Sequence, residues 1–273
     1  MRSQVREPGD AAAWDVVCPP RRPRVPGVRM AGFRDRAPAA GGHRAIPHPA
    51  VTILLEFGSS APVVETASGQ HRGSLVAAPG PIALWVRGEN VECVQLRLSP
   101  VLARTVLGVS PAELDGSVVT LTELWGREAA RIREQLSAAS WPERFALAET
   151  AVLRRRAGTG IDPEIAWAWH RLVTTRGRAR IDTLAADLGW SRKRLWSRFT
   201  GQLGMPPKRA AALIRFDHAA RDLAAGIAPA LVAAQCGYTD QSHLHRDVAA
   251  FTGLTPGTLA VEPWLAVDDL AWS

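Results

Sequence analysis

Residues 184–256 contain one device written twice, and that repeat constrains the fold more than any other feature of the chain. The first copy reads Leu184-Ala-Ala-Asp-Leu-Gly-Trp-Ser191, continues Arg192-Lys-Arg-Leu-Trp-Ser-Arg-Phe199 and closes on Gly204-Met-Pro-Pro207. The second reads Val232-Ala-Ala-Gln-Cys-Gly-Tyr-Thr239, continues Asp240-Gln-Ser-His-Leu-His-Arg-Asp-Val248 and closes on Gly253-Leu-Thr-Pro256. Gly189 and Gly237 stand 48 positions apart (237 − 189), and Leu195 and Leu244 stand 49 apart (244 − 195). The copies therefore keep phase except for one residue added just past the turn. A short apolar helix, a glycine, an aromatic residue and a polar cap ahead of a second amphipathic helix describe a helix-turn-helix. Two in tandem are a far more specific signal than one.

Within the first copy Leu184, Ala185 and Leu188 form a buried face, and Gly189 suits the left-handed reversal because it has no Cβ. Ser191 is placed to cap the next helix, and Leu195 and Phe199, four apart, turn inward. That leaves Arg192, Lys193, Arg194, Trp196 and Ser197 on the outer N-terminal part of the second helix, where a recognition helix reaches base edges. Arg and Lys pair with guanine O6 and N7, and an indole covers a thymine methyl; packing of Trp196 on its own helix is the other reading. The second copy buries Val232, Ala233, Cys236, Leu244 and Val248 and presents Gln241, Ser242, His245 and Arg246. Gln suits adenine and Arg suits guanine or phosphate; either Thr239 or Asp240 can cap this helix. Between the copies, residues 207–225 have high helix propensity and would span ~28 Å. Such a rod could set two readers roughly one DNA turn, ~34 Å, apart.

Residues 181–259 resemble the DNA-binding domain of the AraC/XylS family of bacterial transcription regulators. The resemblance is carried by Leu184-Ala, Gly189, Ser191, Leu195, Phe199, Gly204 and Pro207, by Arg215, Ala219 and Leu223, and by Gly237, Gln241-Ser242, Leu244, Arg246, Gly253 and Thr255-Pro256. It implies double-stranded DNA as partner, no catalysis or cofactor in that domain, and a variable N-terminal sensing or dimerisation domain. Activation through contact with RNA polymerase is the mode it suggests. Two departures stand out. Val248-Ala-Ala-Phe251 replaces the family's Phe-Lys-x-x-Phe, and Ser197 sits where many members carry Arg. Gly32-Phe-Arg-Asp35 and Gly42-His-Arg-Ala-Ile-Pro-His48 are similar to the amino domain of an actinobacterial-type branch.

The fold class expected overall is α+β: a β-rich N-terminal domain, cupin-like or a small antiparallel barrel, then a helical linker and the bihelical domain. Residues 1–30, rich in Pro and Arg, read as an extended, partly mobile and solvated arm. Residues 31–125 form the β-rich unit: Val51–Phe57, Ser74–Ala78, Ile82–Val86 and Val91–Leu98 are apolar or alternating runs punctuated by Gly and Pro. Ser110-Pro-Ala-Glu113 has the pattern of a capping box. Residues 126–160 hold two amphipathic segments divided near Ser140-Trp-Pro142, with Phe145, Ala148, Val152 and Leu153 sharing a face. That face suits a homodimer or intramolecular packing equally. Asp162-Pro-Glu164 starts the DNA-binding unit, residues 161–260, and residues 261–273 are a tail packed back on a domain.

The net charge of +7 favours a polyanionic partner. Cys18, Cys93 and Cys236 are widely spaced, and together with the lack of an apolar leader or membrane-length run they point to a reduced, cytoplasmic protein. His43, His48, Glu56 and His71 raise a rival: a metal-dependent cupin-type enzyme with a regulatory DNA-binding tail. His43 and His48 are five apart and divided by Pro47, which favours turn or surface histidines. A ligand-independent architectural DNA binder is the third reading. Otherwise the N-terminal domain takes a small-molecule effector.

Overall fold

A computed structural model describes residues 14–36, 42–66, 69–80, 83–114, 117–156 and 160–272. Its N-terminal half is built on strands β1 (Trp14–Val17), β2 (Val28–Asp35), β3 (His43–Ala45), β4 (Val51–Glu56), β5 (Val63–Thr66), β6 (Gly69–Arg72), β7 (Leu75–Ala77), β8 (Leu84–Arg87), β9 (Glu92–Leu98) and β10 (Val118–Thr120). Every pairing is antiparallel. One sheet runs β1-β2-β9-β4-β7-β10 and the other β3-β8-β5-β6.

Alternation along β9 sets the layers, since successive strand side chains point to opposite faces. Val94, Leu96 and Leu98 join Met30, Ile53 and Leu55 in a core shared with helices α1 (Pro100–Leu107), α2 (Leu121–Trp125), α3 (Arg127–Ala138) and α4 (Trp141–Arg155). Cys93, Gln95 and Arg97 face the other way, toward the four-stranded sheet. Two capping boxes start these helices. Glu123 accepts from the Thr120 amide at 2.7 Å and Glu143 from the Ser140 amide at 2.8 Å.

The C-terminal half comprises α5 (Pro163–Thr174), α6 (Ile181–Asp187), α7 (Arg192–Leu203), α8 (Pro207–Ala224), α9 (Pro229–Gln235), α10 (Gln241–Thr252), α11 (Pro256–Ala260) and α12 (Pro263–Trp272). Leu172, Leu184, Leu195, Phe199, Phe216, Val232, Leu244 and Val248 lie in one continuous core. The axial helix α8 is buried on much of its surface because it packs on both copies of the repeat. Among the described residues no helix is long and apolar enough to cross a membrane.

Several local expectations are corrected. Strand pairing begins at Trp14, and Val25 is buried, so much of the Pro/Arg-rich stretch is built into the N-terminal unit instead of forming a solvated arm. Arg21 reaches the nearly buried Glu149 of α4 at 2.7 Å, and the Arg24 amide donates to the same carboxylate. Residues 1–13 lie outside the described residues. The segments α3 and α4 close the β-sheet core and so serve as a layer of the N-terminal unit as well as a connection. Leu153 is exposed, unlike Phe145, Ala148 and Val152. Ser110 opens only a single 3-10 turn, Pro111–Leu114: Glu113 accepts from its amide, but its hydroxyl donates at 2.9 Å to the Gln202 carbonyl of α7.

Candidate DNA interface

The two turns are the same object 48 residues apart. At the end of α6 the Trp190 amide donates to the Ala185 carbonyl at 2.8 Å across Gly189, whose φ is 64°. At the end of α9 the Tyr238 amide donates to the Ala233 carbonyl at 2.9 Å across Gly237, whose φ is 78°. Both are Schellman reversals, which need a left-handed residue at that position. The added residue of the second copy then appears where expected. Ser191, two past its glycine, caps α7 by accepting from the Arg194 amide at 3.2 Å. Asp240, three past, caps α10 by accepting from the His243 amide at 2.7 Å, which decides between Thr239 and Asp240. Both following helices run twelve residues and end on a left-handed glycine, Gly204 or Gly253.

On α7, Arg192, Lys193, Arg194, Trp196 and Ser197 are all exposed, while Leu195 and Phe199 are fully buried. Trp196 is 54% exposed. Arg192 meets Asp182 at 3.2 Å and Arg194 lies 4.4 Å from the Trp190 ring centroid. On α10, Gln241, Ser242, His245 and Arg246 are exposed and Leu244 and Val248 are fully buried. Gln241 and His245 are 3.4 Å apart, and Arg246 Nε donates weakly to the Ser242 carbonyl at 3.4 Å. His243 packs edge-on against Tyr238, 5.1 Å between ring centres, and so turns away from the outer face. The two outer faces differ in charge: three cations on the first, one on the second.

Behind these faces Arg215 of α8 staples the second copy in place. Its Nη1 donates to the Gly177 carbonyl at 2.7 Å, its other end is 4.0 Å from Asp247 of α10, and its guanidinium lies 5.6 Å from the Tyr238 ring. Burial raises the pKa of both Asp247 and Tyr238, the latter above the usual phenol range. The first copy is tied differently. Asp162 stands at the start of α5, yet its carboxylate accepts from Gln202 Nε2 at 2.7 Å and lies 3.5 Å from Arg198, leaving the helix uncapped by its side chain. Sequence reasoning also missed Arg178, whose stem lies against Gly237 and whose side chain is exposed beside the second turn. A basic loop residue carries no signal of that neighbour.

The N-terminal unit grips the same helices. Besides Ser110 on Gln202, Arg44 Nη1 donates to the Thr252 carbonyl at 2.7 Å and the Ala83 amide to the Phe251 carbonyl at 3.0 Å.

Of the histidines expected in turns or at the surface, His48 lies in the connection between β3 and β4, while His43 and His71 lie on strands. His43 is on β3, stacked 3.8 Å from Trp264, and burial lowers its pKa to about 4. His48 Nε2 sits 3.0 Å from the Thr52 hydroxyl, and burial followed by the nearby Arg97 holds its pKa well below the usual value. Glu56 is bound by Arg133 at 2.5 Å. His43, His48, Glu56 and His71 do not converge, and among the described residues no three His, Cys, Asp or Glu side chains gather into a metal-ligand group. Cys18, Cys93 and Cys236 are all free thiols.

Residues 184–260 match the family described as a helix-turn-helix domain. No curated protein matches the chain. Among solved structures, ToxT from Vibrio cholerae strain SCE256 with a bound unsaturated fatty acid is similar over 87% of this chain and 96% of its own, with a TM-score of 0.50 at 10% identity. An apo ToxT variant from the same strain is similar over 89% of this chain and 99% of its own, with a TM-score of 0.49 at 12% identity. The C-terminal domain of AraT, a response regulator from Geobacillus stearothermophilus, is similar over 37% of this chain and 85% of its own, with a TM-score of 0.35 at 18% identity. The arrangement of antiparallel sheets followed by a helical unit is thus shared with ToxT as a fold. The C-terminal unit is an AraC-type helix-turn-helix domain, the apparatus of a DNA-binding transcription regulator.

Proposed function

We propose that the chain is a sequence-specific regulator that reads two successive major grooves, one with the N-terminal part of α7 and one with that of α10. The observation that carries this reading is the pair of matched turns, each delivering a capped helix whose first two turns are polar outside and apolar inside. Arg192, Lys193, Arg194, Trp196 and Ser197 serve one half-site, and Gln241, Ser242, His245 and Arg246 the other. The basic α7 supplies more of the affinity through phosphate neutralisation, and α10 supplies more of the discrimination through side chains suited to base edges. In this division residues 161–260 bind DNA and the preceding β-rich unit senses a small molecule or mediates self-association. ToxT, which shares the two-unit fold, holds a fatty acid in one of its structures, in keeping with an effector-responsive N-terminal unit.

Selection from random duplexes tests the reading. The enriched site should contain two conserved blocks centred ~10–10.5 base pairs apart, the spacing of successive major grooves on one face. Enrichment of a single block, or of none, would refute it.

A further inference from the structure

The face of the six-stranded sheet turned away from α1–α4 closes over a cavity of about 140 Å³ between the two sheets. Its wall is mainly apolar, with Phe33, Leu54, Val64 and Val86 among the lining residues, and Trp264 of α12 forms part of it. Two buried polar groups in that wall are left incomplete. Arg97 is 7% exposed; its Nη2 meets Asp268 of α12, but its Nε has no partner among the described residues. His48 Nε2 lies 3.0 Å from the Thr52 hydroxyl, while its buried Nδ1 has no partner among the described residues. In the tautomer that accepts the Thr52 proton at Nε2, the imidazole proton rests on Nδ1, which then joins Arg97 Nε as an open donor.

Of the guanidinium groups near this end, Arg29 is exposed and Arg221, paired with Asp217 at 2.5 Å, is 39% exposed, so Arg97 is the buried one and it lines the cavity. A buried donor left without an acceptor is costly, and a carboxylate is the acceptor a guanidinium binds best. An engineered protein cavity of about 150 Å³ takes a benzene-sized body, which sets the scale of the apolar remainder.

We propose that this cavity binds a small, largely apolar carboxylate whose anionic end is held by Arg97 and His48 beneath helix α12. The proposal rests on the reading of the β-rich unit as a sensor and names the chemistry it senses. It also supplies a route outward. Helix α12 places Trp264 in the cavity wall and Asp268 on Arg97, packs against α8, and buries Leu265 in the core of the DNA-binding unit. An anion on Arg97 competes with Asp268, and the altered hold on α12 is felt by the rod that separates the two reading helices.

Calorimetric titration of the full-length protein with benzoate and phenylacetate, beside benzamide and phenylacetamide, tests the proposal. At least one acid should bind saturably and one-to-one, and at least tenfold more tightly than its amide. Arg97→Gln should remove that preference, and Asp268→Asn, which withdraws the competing carboxylate, should tighten acid binding several-fold. The acid-over-amide comparison needs no variant, so it stands even if Arg97→Gln fails to fold. Equal binding of acid and amide, no binding of any of the four at millimolar concentration, acid binding untouched by Arg97→Gln, or unchanged or weaker acid binding in Asp268→Asn would each overturn it. DNA binding by the same preparation is measured separately: its loss would sink the regulator reading and leave the calorimetric result standing.

Discussion

Lys193→Ala is the sharpest probe of the first reading helix. Lys193 is the second residue of α7, fully outward and without an ion pair among the described residues. Its neighbours are partly engaged: Arg192 with Asp182 at 3.2 Å, Arg194 over Trp190 at 4.4 Å, Arg198 with Asp162 at 3.5 Å. Lys193 can therefore meet DNA without first breaking an internal contact. If it reads a base, its loss should cost ~1–3 kcal/mol, roughly 5- to 150-fold in affinity, and relax preference at one position. If it neutralises a phosphate, the slope of log K against log salt should shrink by ~0.9. In that case the ratio of wild-type to variant affinity falls about 3.5-fold between 50 and 200 mM salt, whereas a base contact leaves it nearly constant. Fluorescence anisotropy on the selected site across that range separates the two. Arg246→Ala, made in parallel, asks the same of α10, where the arginine makes a 3.4 Å contact within its own helix. Wild-type affinity for both variants at every salt concentration would refute the assignment of these faces. The melting temperature should hardly move, since each change is at an exposed helical position and Ala is a good helix former.

Adjacent residues on α7 should behave oppositely. Leu195→Ala empties a fully buried site and should lower stability by ~2–5 kcal/mol, while Trp196→Ala should leave the melting temperature near wild type and weaken DNA binding. The reverse pattern in melting and anisotropy would mean the face is inverted. Gly237→Ala should destabilise more than Gly189→Ala: both put a Cβ on a left-handed residue, at ~1–2 kcal/mol, but only at Gly237 does that Cβ press on a side chain, Arg178 at 2.8 Å. Equal melting temperatures would remove the Arg178 contact from the account. Stability should also fall as pH drops from 6.5 toward 4. His43 is held to about 4 and His48 well below its usual value by burial, so the unfolded chain takes up these protons before the folded one does. Stability from these groups is full above the unfolded pKa and lost below it, by up to about 3 kcal/mol for His43. The raised carboxyls of Asp217 and Asp247 act in the opposite sense. Melting curves at pH 7, 6 and 5 should show the decline, flatter in His43→Asn; a pH-independent melting temperature would exclude it.

Helices α7 and α10 were legible in sequence because a helix-turn-helix is a local object. Caps, turn glycines and the four-residue spacing of Leu195 and Phe199 all act within one or two turns of chain, so the residues that need each other are neighbours. The strands β4, β7, β8 and β9 were legible for a similar reason, as apolar runs between breakers. What failed to show was anything requiring distant partners. The Pro/Arg-rich stretch looks like a tail by composition, and nothing in it announces that Arg21 will meet a carboxylate 128 residues later. Ser110 satisfies a capping pattern, yet a helix near the end of its run, 92 residues on, offers Gln202's carbonyl and takes the hydroxyl. Arg97 stands in an alternating strand as an outward polar residue would. Only the return of α12, with Asp268 171 residues away, makes that face an interior.

The grip of the N-terminal unit falls at one end of each reading helix. Ser110 holds the Gln202 carbonyl in the last turn of α7, and Ala83 and Arg44 hold the Phe251 and Thr252 carbonyls in the last turn of α10. A helix's last four carbonyls have no intrahelical partner, so these are the points where an outside donor gains most, and a cation such as Arg44 also answers the negative end of the dipole. The opposite ends, which carry Arg192 to Ser197 and Gln241 to Arg246, remain open to a duplex. One body thus holds both helices by their far ends while α8 fixes them from within, so their separation is set jointly by the rod and by the β-rich unit. Were α7 and α10 to read successive grooves as proposed, a shift of a few ångströms in how the N-terminal unit seats on those carbonyls would change the fit to both half-sites at once.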